Sequence, residues 1–278
     1  MESTGVYWKP LYNLFEIMDL SAIVVNAQHM KALPGRKTDV KDAEWIADLL
    51  RHGLLRASFV PSKEQRELRD VVRYRKSLTE ERARELNRFS KMLQGANIKL
   101  DSVVSSLFGK SSRKLLQLVL SGAAINAQTI APLMAKELKA DLESLVLALD
   151  GIVSPVLRML LSSILDHIDD MSRRVEALDF FVTEQMREVS AAIDALCKIP
   201  GIATTSAQII IAEIGTDMSR FPSAAHLCSW AGVCPGNRES AGKRGSGKTN
   251  RGNQALKSIL ANCSKSVSRT NTFFAAQY

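Results

Sequence analysis

Residues 155 to 190 constrain the fold more than any other stretch of the chain. Leu157, Leu161, Ile164, Ile168, Met171, Val175, Leu178 and Val182 follow one another at alternating spacings of four and three. That is a heptad seam, and only a helix returns such positions to one side. A helix of this length needs an apolar partner along it, in the same chain or in another copy. A second long helix is expected from residue 63 to about 94, with ten Lys/Arg and six Asp/Glu and a thin apolar face (Leu68, Val71, Val72, Leu78, Leu86, Phe89, Leu93). Several short leucine-rich amphipathic helices fill residues 97 to 150 between them. The centre of the chain, residues 61–190, is therefore expected to be a helical, coiled-coil segment without chemistry of its own.

Composition matters where it excludes classes. A chain of 278 residues has the length of about two domains. With 46% hydrophobic and 24% charged residues it can bury a core, which argues against wholesale disorder. No apolar run reaches the length of a membrane-spanning helix, and no basic-then-apolar leader opens the sequence. Cys197, Cys228, Cys234 and Cys263 show no C-x-x-C spacing and read as free thiols of a reducing compartment. His29, His52, His167 and His226 are scattered, which argues against a histidine metal site. The net charge of +8 favours a polyanionic partner. These features give the expectation of a cytoplasmic protein that does not engage a membrane.

The N-terminal residues 1–60 read as an α/β fragment. Val6 to Met18 is helix-like and aromatic, Ala22 to Asn26 reads as a short buried strand, and a helix opens near Thr38 and closes at Gly53. Asp39 and Asp42 lie three apart at that helix start, on one face. They are compatible with a shared divalent metal or with a plain N-cap and first-turn acid. Pro200-Gly201-Ile202 lies between two helices; it fits a helix–hairpin–helix facing a phosphate, or an ordinary tight turn. Residues 242–249 match the phosphate-loop pattern G-x-x-x-x-G-K-[ST]. The context opposes an ATPase, because Pro235 to Ser240 is no buried strand and only about thirty residues remain. Residues 236–257 read as a Gly- and Ser-rich basic loop, with Arg238, Lys243, Arg244, Lys248, Arg251 and Lys257 against Glu239 alone. Such a loop suits a phosphate backbone, and Ser240, Ser246 and Thr249 are hydroxyls able to attack a phosphodiester there.

Several of these segments together resemble one family. Met1-Glu2-Ser3-Thr4-Gly5-Val6-Tyr7-Trp8, Asn26 to His29 and Pro34 to Ala43 resemble the N-terminal region of the IS110 insertion-sequence transposases. Ile199 to Ile202, Arg220 to Ala224, Ala231 to Gly236 and Glu239 to Lys243 resemble their C-terminal domain, in the same order. The resemblance implies a mixed, mostly α chain. It would comprise a partial RuvC-like (RNase H) α/β piece over 1–60, a helical coiled-coil segment over 61–190, and a mainly helical transposase domain over 191–278 with a helix–hairpin–helix-like element. It implies DNA cleavage and rejoining, Mg²⁺ held by a D-E-D-D carboxylate set, a serine nucleophile, and a guide RNA from the element.

Carried over by motif, Glu2, Asp39 and Asp42 are the later carboxylates of that set and Ser240 is the nucleophile. Arg36, Lys37, Pro200, Gly201, Ile202, Arg238, Lys243, Arg244, Lys248 and Arg251 are the expected nucleic-acid contacts, and the coiled coil is the expected route to a homo-oligomer. The resemblance also places the first Asp of the set upstream of Met1 and continues past Tyr278. The expectation is therefore a chain truncated at both ends and impaired in catalysis. The alternative is a non-catalytic nucleic-acid-binding remnant that associates with an intact transposase.

Overall fold

The structure, a computed structural model, describes residues 1–3, 5–26, 42–134, 140–235, 239, 240, 242–244, 248, 249 and 252–277. Among these residues it is mostly helical. Contacts divide the chain into two units, one of Met1–Asp70 with Glu188–Tyr278 and one of Val71–Arg187.

Among its described residues the Val71–Arg187 unit consists of helices and the loops that join them. It contains most of α3 (Lys63–Gly95), then α4 (Lys110–Ser121), the short α5 (Ala127–Ile130), α6 (Leu142–Ala148) and α7 (Pro155–Gln185). Some of these starts show a side-chain cap. Ser154 caps α7 by accepting from the Leu157 N–H at 3.1 Å, with Pro155 at the first helical position. Asp141 caps α6 by accepting from the Ser144 N–H at 2.7 Å, which holds its carboxyl below the usual range.

The heptad seam of α7 is used inside the chain. Leu161, Ile164, Ile168, Met171 and Val175 join one buried cluster with Leu78, Phe89, Leu93, Leu115 and Leu116. Leu157 and Leu178 lie at its margin, and Val182 is buried. The seam thus meets apolar faces of α3 and α4, while Val156, Met159, Phe180 and Phe181 remain exposed. Ion pairs fasten the same helices: Arg75 reaches Asp179 at 2.9 Å and Arg113 reaches Asp169 at 2.5 Å.

The other unit joins the two ends of the sequence. Its N-terminal part holds a small ladder whose centre is Val24–Val25. Glu2 pairs with Val25 in parallel, and Val25 pairs with Ala57 antiparallel. The Val25 N–H donates to the Met1 carbonyl at 2.8 Å, Ser3 N–H to Val25 at 2.9 Å, and Ser58 N–H to Val24 at 2.7 Å. The strand expected over 22–26 is thus reduced to single bridges, because each neighbour contributes only two or three residues. The RNase H-like sheet is not seen among the described residues beyond this ladder. Helix α2 (Asp42–Arg51) backs it, packing Trp45, Ile46 and Leu49 with Val25.

Helix α1 (Trp8–Ile17) is tied to the start of α3 by charge. Arg66 donates to Glu16 Oε1 at 3.1 Å, to Asn13 Oδ1 at 2.9 Å and to the Pro61 carbonyl at 2.7 Å, and it also binds Glu16 Oε2. Lys9 pairs with Asp70 at 3.2 Å. The Arg66 hydrogen bonds hold the Glu16 carboxyl below its ordinary value of 4.5. A depressed carboxyl stabilises the fold above its unfolded pKa, and the gain is lost as pH falls through the folded one. E16Q is therefore expected to melt earlier than the parent at pH 7, by about 1 kcal/mol or less given the exposure of Glu16. The gap should close as thermal melts are taken progressively below pH 4.5.

The C-terminal part consists of α8 (Ser190–Cys197), α9 (Thr204–Ile214), α10 (Ala224–Ala231), the paired strands β1 (Glu239–Ser240) and β2 (Lys243–Arg244), α11 (Gln254–Val267) and α12 (Phe273–Ala276). Residues Ala207 to Ile214 are all buried, polar ones included, so α9 is surrounded on every side beyond its first turn.

Candidate functional site

The segment expected to be a basic loop is a short hairpin with a built root. β1 and β2 pair antiparallel, Glu239 opposite Arg244 and Ser240 opposite Lys243. Pro235 bridges Thr249 antiparallel below them, and the Lys257 ammonium on α11 binds the Thr249 hydroxyl. Glycines make the crossing beneath possible. A Cβ on Gly252 would lie 2.4 Å from the Gly232 nitrogen, so the two backbone strands touch where the hairpin leaves the helices. Gly232 itself ends α10 at φ 75°, the left-handed cap that glycine favours.

The root is bolted to the buried α9. Asn253 starts α11 and does three things at once. Its Oδ1 accepts from the Leu256 N–H at 3.0 Å, its own N–H donates to the Trp230 carbonyl at 3.2 Å, and its Nδ2 donates to Glu213 Oε2 at 2.6 Å. Glu213 has no solvent exposure. Its counter-charge is Arg69 of α3, whose Nε lies 3.4 Å from Glu213 Oε2 and donates to the Ala212 carbonyl at 3.1 Å. Arg69 also donates to the Glu213 carbonyl. Buried carboxylates persist only when charge and hydrogen bonds meet them, and here both do.

Aromatic rings close over this pair. The Arg69 guanidinium lies 5.7 Å from the Trp230 ring centroid and 5.8 Å from that of Phe59. Phe59, Phe221 and Trp230 contact one another at centroid distances of 5.6–5.9 Å. Arg220 stands over the Phe59 ring at 4.9 Å, and its neighbour Asp217 is held below the usual carboxyl range by the Ser219 hydroxyl and N–H. Phe59 directly follows the ladder that carries Glu2. One aromatic joint therefore connects the ladder segment to the base of the Ser240 hairpin.

The expected site residues fall as follows. Ser240, Lys243 and Arg244 lie in the hairpin strands, and Lys248 is exposed beside Thr249. Glu2 lies in the ladder, half-buried. Asp42 is the first residue of α2. Asp39, Arg36, Lys37, Arg238 and Arg251 lie outside the described residues. Pro200, Gly201 and Ile202 form the turn between α8 and α9, where the Ile202 N–H donates to the Ile199 carbonyl at 3.1 Å. One face of that turn is covered, since Gly201 lies against Val267 and the Cys263 carbonyl of α11. Among the described residues no three acidic, histidine or cysteine side chains converge on a metal site.

The basic surplus of α3 is smaller at the surface than in the sequence. Arg66, Arg69 and Arg75 are buried in internal pairs and do not face a polyanion. Sequence reasoning missed Glu213, Arg69 and Asn253. The available signal was a lone acid in the run Ile209-Ile210-Ile211-Ala212-Glu213-Ile214, whose polar member must find a partner wherever that run is buried.

Comparison with known proteins places this arrangement in a class. A model of the DEDD transposases of IS110 elements matches residues 1–98, and the transposase family IS116/IS110/IS902 matches residues 193–278. The two matches cover the ladder and α1–α3 at one end and α9–α12 with the hairpin at the other, both as models of transposase families. The chain belongs to the IS110 family of transposases. It is also 29% identical over 227 residues to the uncharacterized 43.6 kDa protein of insertion element IS110 from Streptomyces coelicolor. That alignment takes in 74% of this chain and 55% of the relative, so the chain spans about half the length of the curated protein it matches. Among the described residues no helix is long and apolar enough to cross a membrane.

Proposed function

We propose that this chain is a DNA-processing transposase in which Ser240 is the nucleophile. The observation that carries the reading is the hairpin itself: within the transposase match, Ser240 lies in a strand pair whose base is fixed to buried helices. In the proposed step Ser240 Oγ forms a bond to the phosphorus of a DNA phosphodiester and a P–O bond of the strand breaks. The released sugar oxygen takes up a proton, balancing the one lost by the serine, and the DNA end stays on the protein as a phosphoserine. Attack by a second sugar hydroxyl reverses the exchange and rejoins the strand. Arg238, Lys243, Arg244, Lys248 and Arg251 supply positive charge near the phosphoryl group, whose charge grows in the transition state.

Dependence on a divalent metal follows from membership in a DEDD family. Glu2, Asp39 and Asp42 are the residues proposed to hold Mg²⁺, which would supply Lewis acidity at the scissile phosphate. Of the three, only Glu2 has its side chain among the described residues, and one carboxylate does not make a Mg²⁺ site. The serine step is therefore carried by the protein's own groups as written. DNA and an element-encoded guide RNA are the proposed polyanionic partners, and the protein is proposed to work in the bacterial cytoplasm. The proposed self-association uses faces other than the α7 seam, because that seam is filled within the chain.

Incubation with DNA of the element's end and Mg²⁺, followed by denaturing electrophoresis, tests the reading. A covalent protein–DNA adduct is expected from the parent and none from S240A, with DNA binding equal in both. Equal adducts from both proteins would refute it. Binding without adduct from either would favour the second reading, a non-catalytic nucleic-acid-binding chain.

A further inference from the structure

The Ser240 hairpin meets the helical body at one residue. Asn253 stands where the chain returns from the hairpin, and its three hydrogen bonds run to three different helices: α10 through Trp230, α9 through Glu213, and its own α11 through Leu256. Capping α11 needs only an acceptor, which serine or aspartate supplies as well. The amide donor is needed for something else. It is directed at Glu213 Oε2 at 2.6 Å, a fully buried carboxylate otherwise met by Arg69. A charge with no solvent exposure cannot relax into water, so its partners are fixed in place more firmly than surface partners are. Fixing Asn253 fixes Gly252, whose backbone lies against Gly232, and with it the Pro235–Thr249 bridge at the hairpin's base.

We propose that Glu213 and Asn253, with Arg69 as counter-charge, are positioning residues that set the placement of the Ser240 hairpin. The Asn253–Glu213 hydrogen bond is the element that transmits position from the buried helix α9 to the nucleophile strand. The purpose of that placement rests on the reading of Ser240 as nucleophile; the placement itself does not. Ser240 touches the phosphate in that reading, whereas Glu213 and Asn253 act only through the hairpin root.

Hydrogen exchange of the full chain by mass spectrometry, read over residues 235–249 against α9 and α11, tests the placement without requiring catalysis. N253D keeps the α11 cap but sets a second carboxylate against Glu213. At pH 8 exchange over 235–249 should rise by about tenfold or more while the centre of α9 stays protected. The double variant E213Q/N253D exchanges the roles of donor and acceptor, keeps one negative charge beside Arg69, and should restore most of the lost protection. A role in packing alone predicts no such rescue. Parent-like protection in N253D would overturn the proposal, as would a double variant no better than N253D, or an increase spread evenly over α9 and α11. The serine reading fails separately, through an adduct that survives S240A.

Discussion

Arg69→Ala is expected to destabilise the unit formed by residues 1–70 and 188–278 by about 3–5 kcal/mol, the usual effect of removing one partner of a buried ion pair. The magnitude follows from what is left behind. Glu213 has no solvent exposure, and losing Arg69 removes the guanidinium that lies 3.4 Å from its carboxylate. The Ala212 carbonyl loses an Arg69 donor at the same time, and the face between Phe59 and Trp230 loses its filler. R69K should recover only part, because an ammonium cannot reach two carbonyls and a carboxylate as a planar fork does. R69L/E213L should recover most, because a buried pair replaced by apolar groups no longer carries an unmatched charge. Urea unfolding read by circular dichroism checks the series. The DNA-binding assay separates this role from phosphate contact. A phosphate contact would lower the salt slope by about one, whereas a buried arginine leaves it unchanged in the folded fraction. A stable R69A with a reduced slope would show that Arg69 faces DNA.

That pair also shows where sequence reasoning stops. The long helices were legible because their signals are periodic: the seam from Leu157 to Val182 lies on α7, and the 63–94 stretch is α3 (Lys63–Gly95). What the seam packs against was not legible, since Leu78, Phe89 and Leu115 reach it from distant parts of the chain and carry no mark of the partnership. Arg69 was one cation among ten on α3. Nothing local distinguishes it from Arg73 or Arg84; burial alone does, and burial is a tertiary property. The hairpin was hidden for another reason. Its strands are two residues each, too short for alternation to register, and its Gly, Ser and Lys content reads as loop.

The same segment carried the phosphate-loop pattern, whose sequence context already opposed it. A phosphate loop needs a buried strand leading into a helix. Here Glu239–Ser240 pairs with Lys243–Arg244 across Gly242, and Thr249 pairs back to Pro235. The N-terminal carboxylates were legible only through family resemblance. Spacing alone favoured capping over a shared metal for Asp39 and Asp42, and a Glu at position 2 carried no signal by itself.

The second large effect is expected at the Pro200–Gly201–Ile202 turn, where sequence left a phosphate-facing hairpin and a plain turn both open. Gly201→Ala should cost about 2–5 kcal/mol, from two sources. The backbone at Gly201 has φ 84°, a conformation that a Cβ disfavours by about 1–2 kcal/mol. The added methyl would also stand 2.5 Å from Val267 Cγ2 and 2.8 Å from the Cys263 carbonyl, and overpacking of this kind typically adds about 1–3 kcal/mol. The two contacts differ in how they can yield. Val267 is a side chain and V267A removes it, whereas the Cys263 carbonyl belongs to the α11 backbone and can move only with the helix. V267A/G201A is therefore expected to recover part of the loss and never all of it. DNA affinity, measured at a temperature where both proteins remain folded, should be the same for G201A and the parent if the turn is a packing element against α11. A fall in affinity beyond the loss of folded protein would instead place a phosphate at this turn. The covered face of Gly201 favours packing, which leaves the proposed DNA contacts to the hairpin segment, supported by α11 from its other end through Lys257 and Thr249.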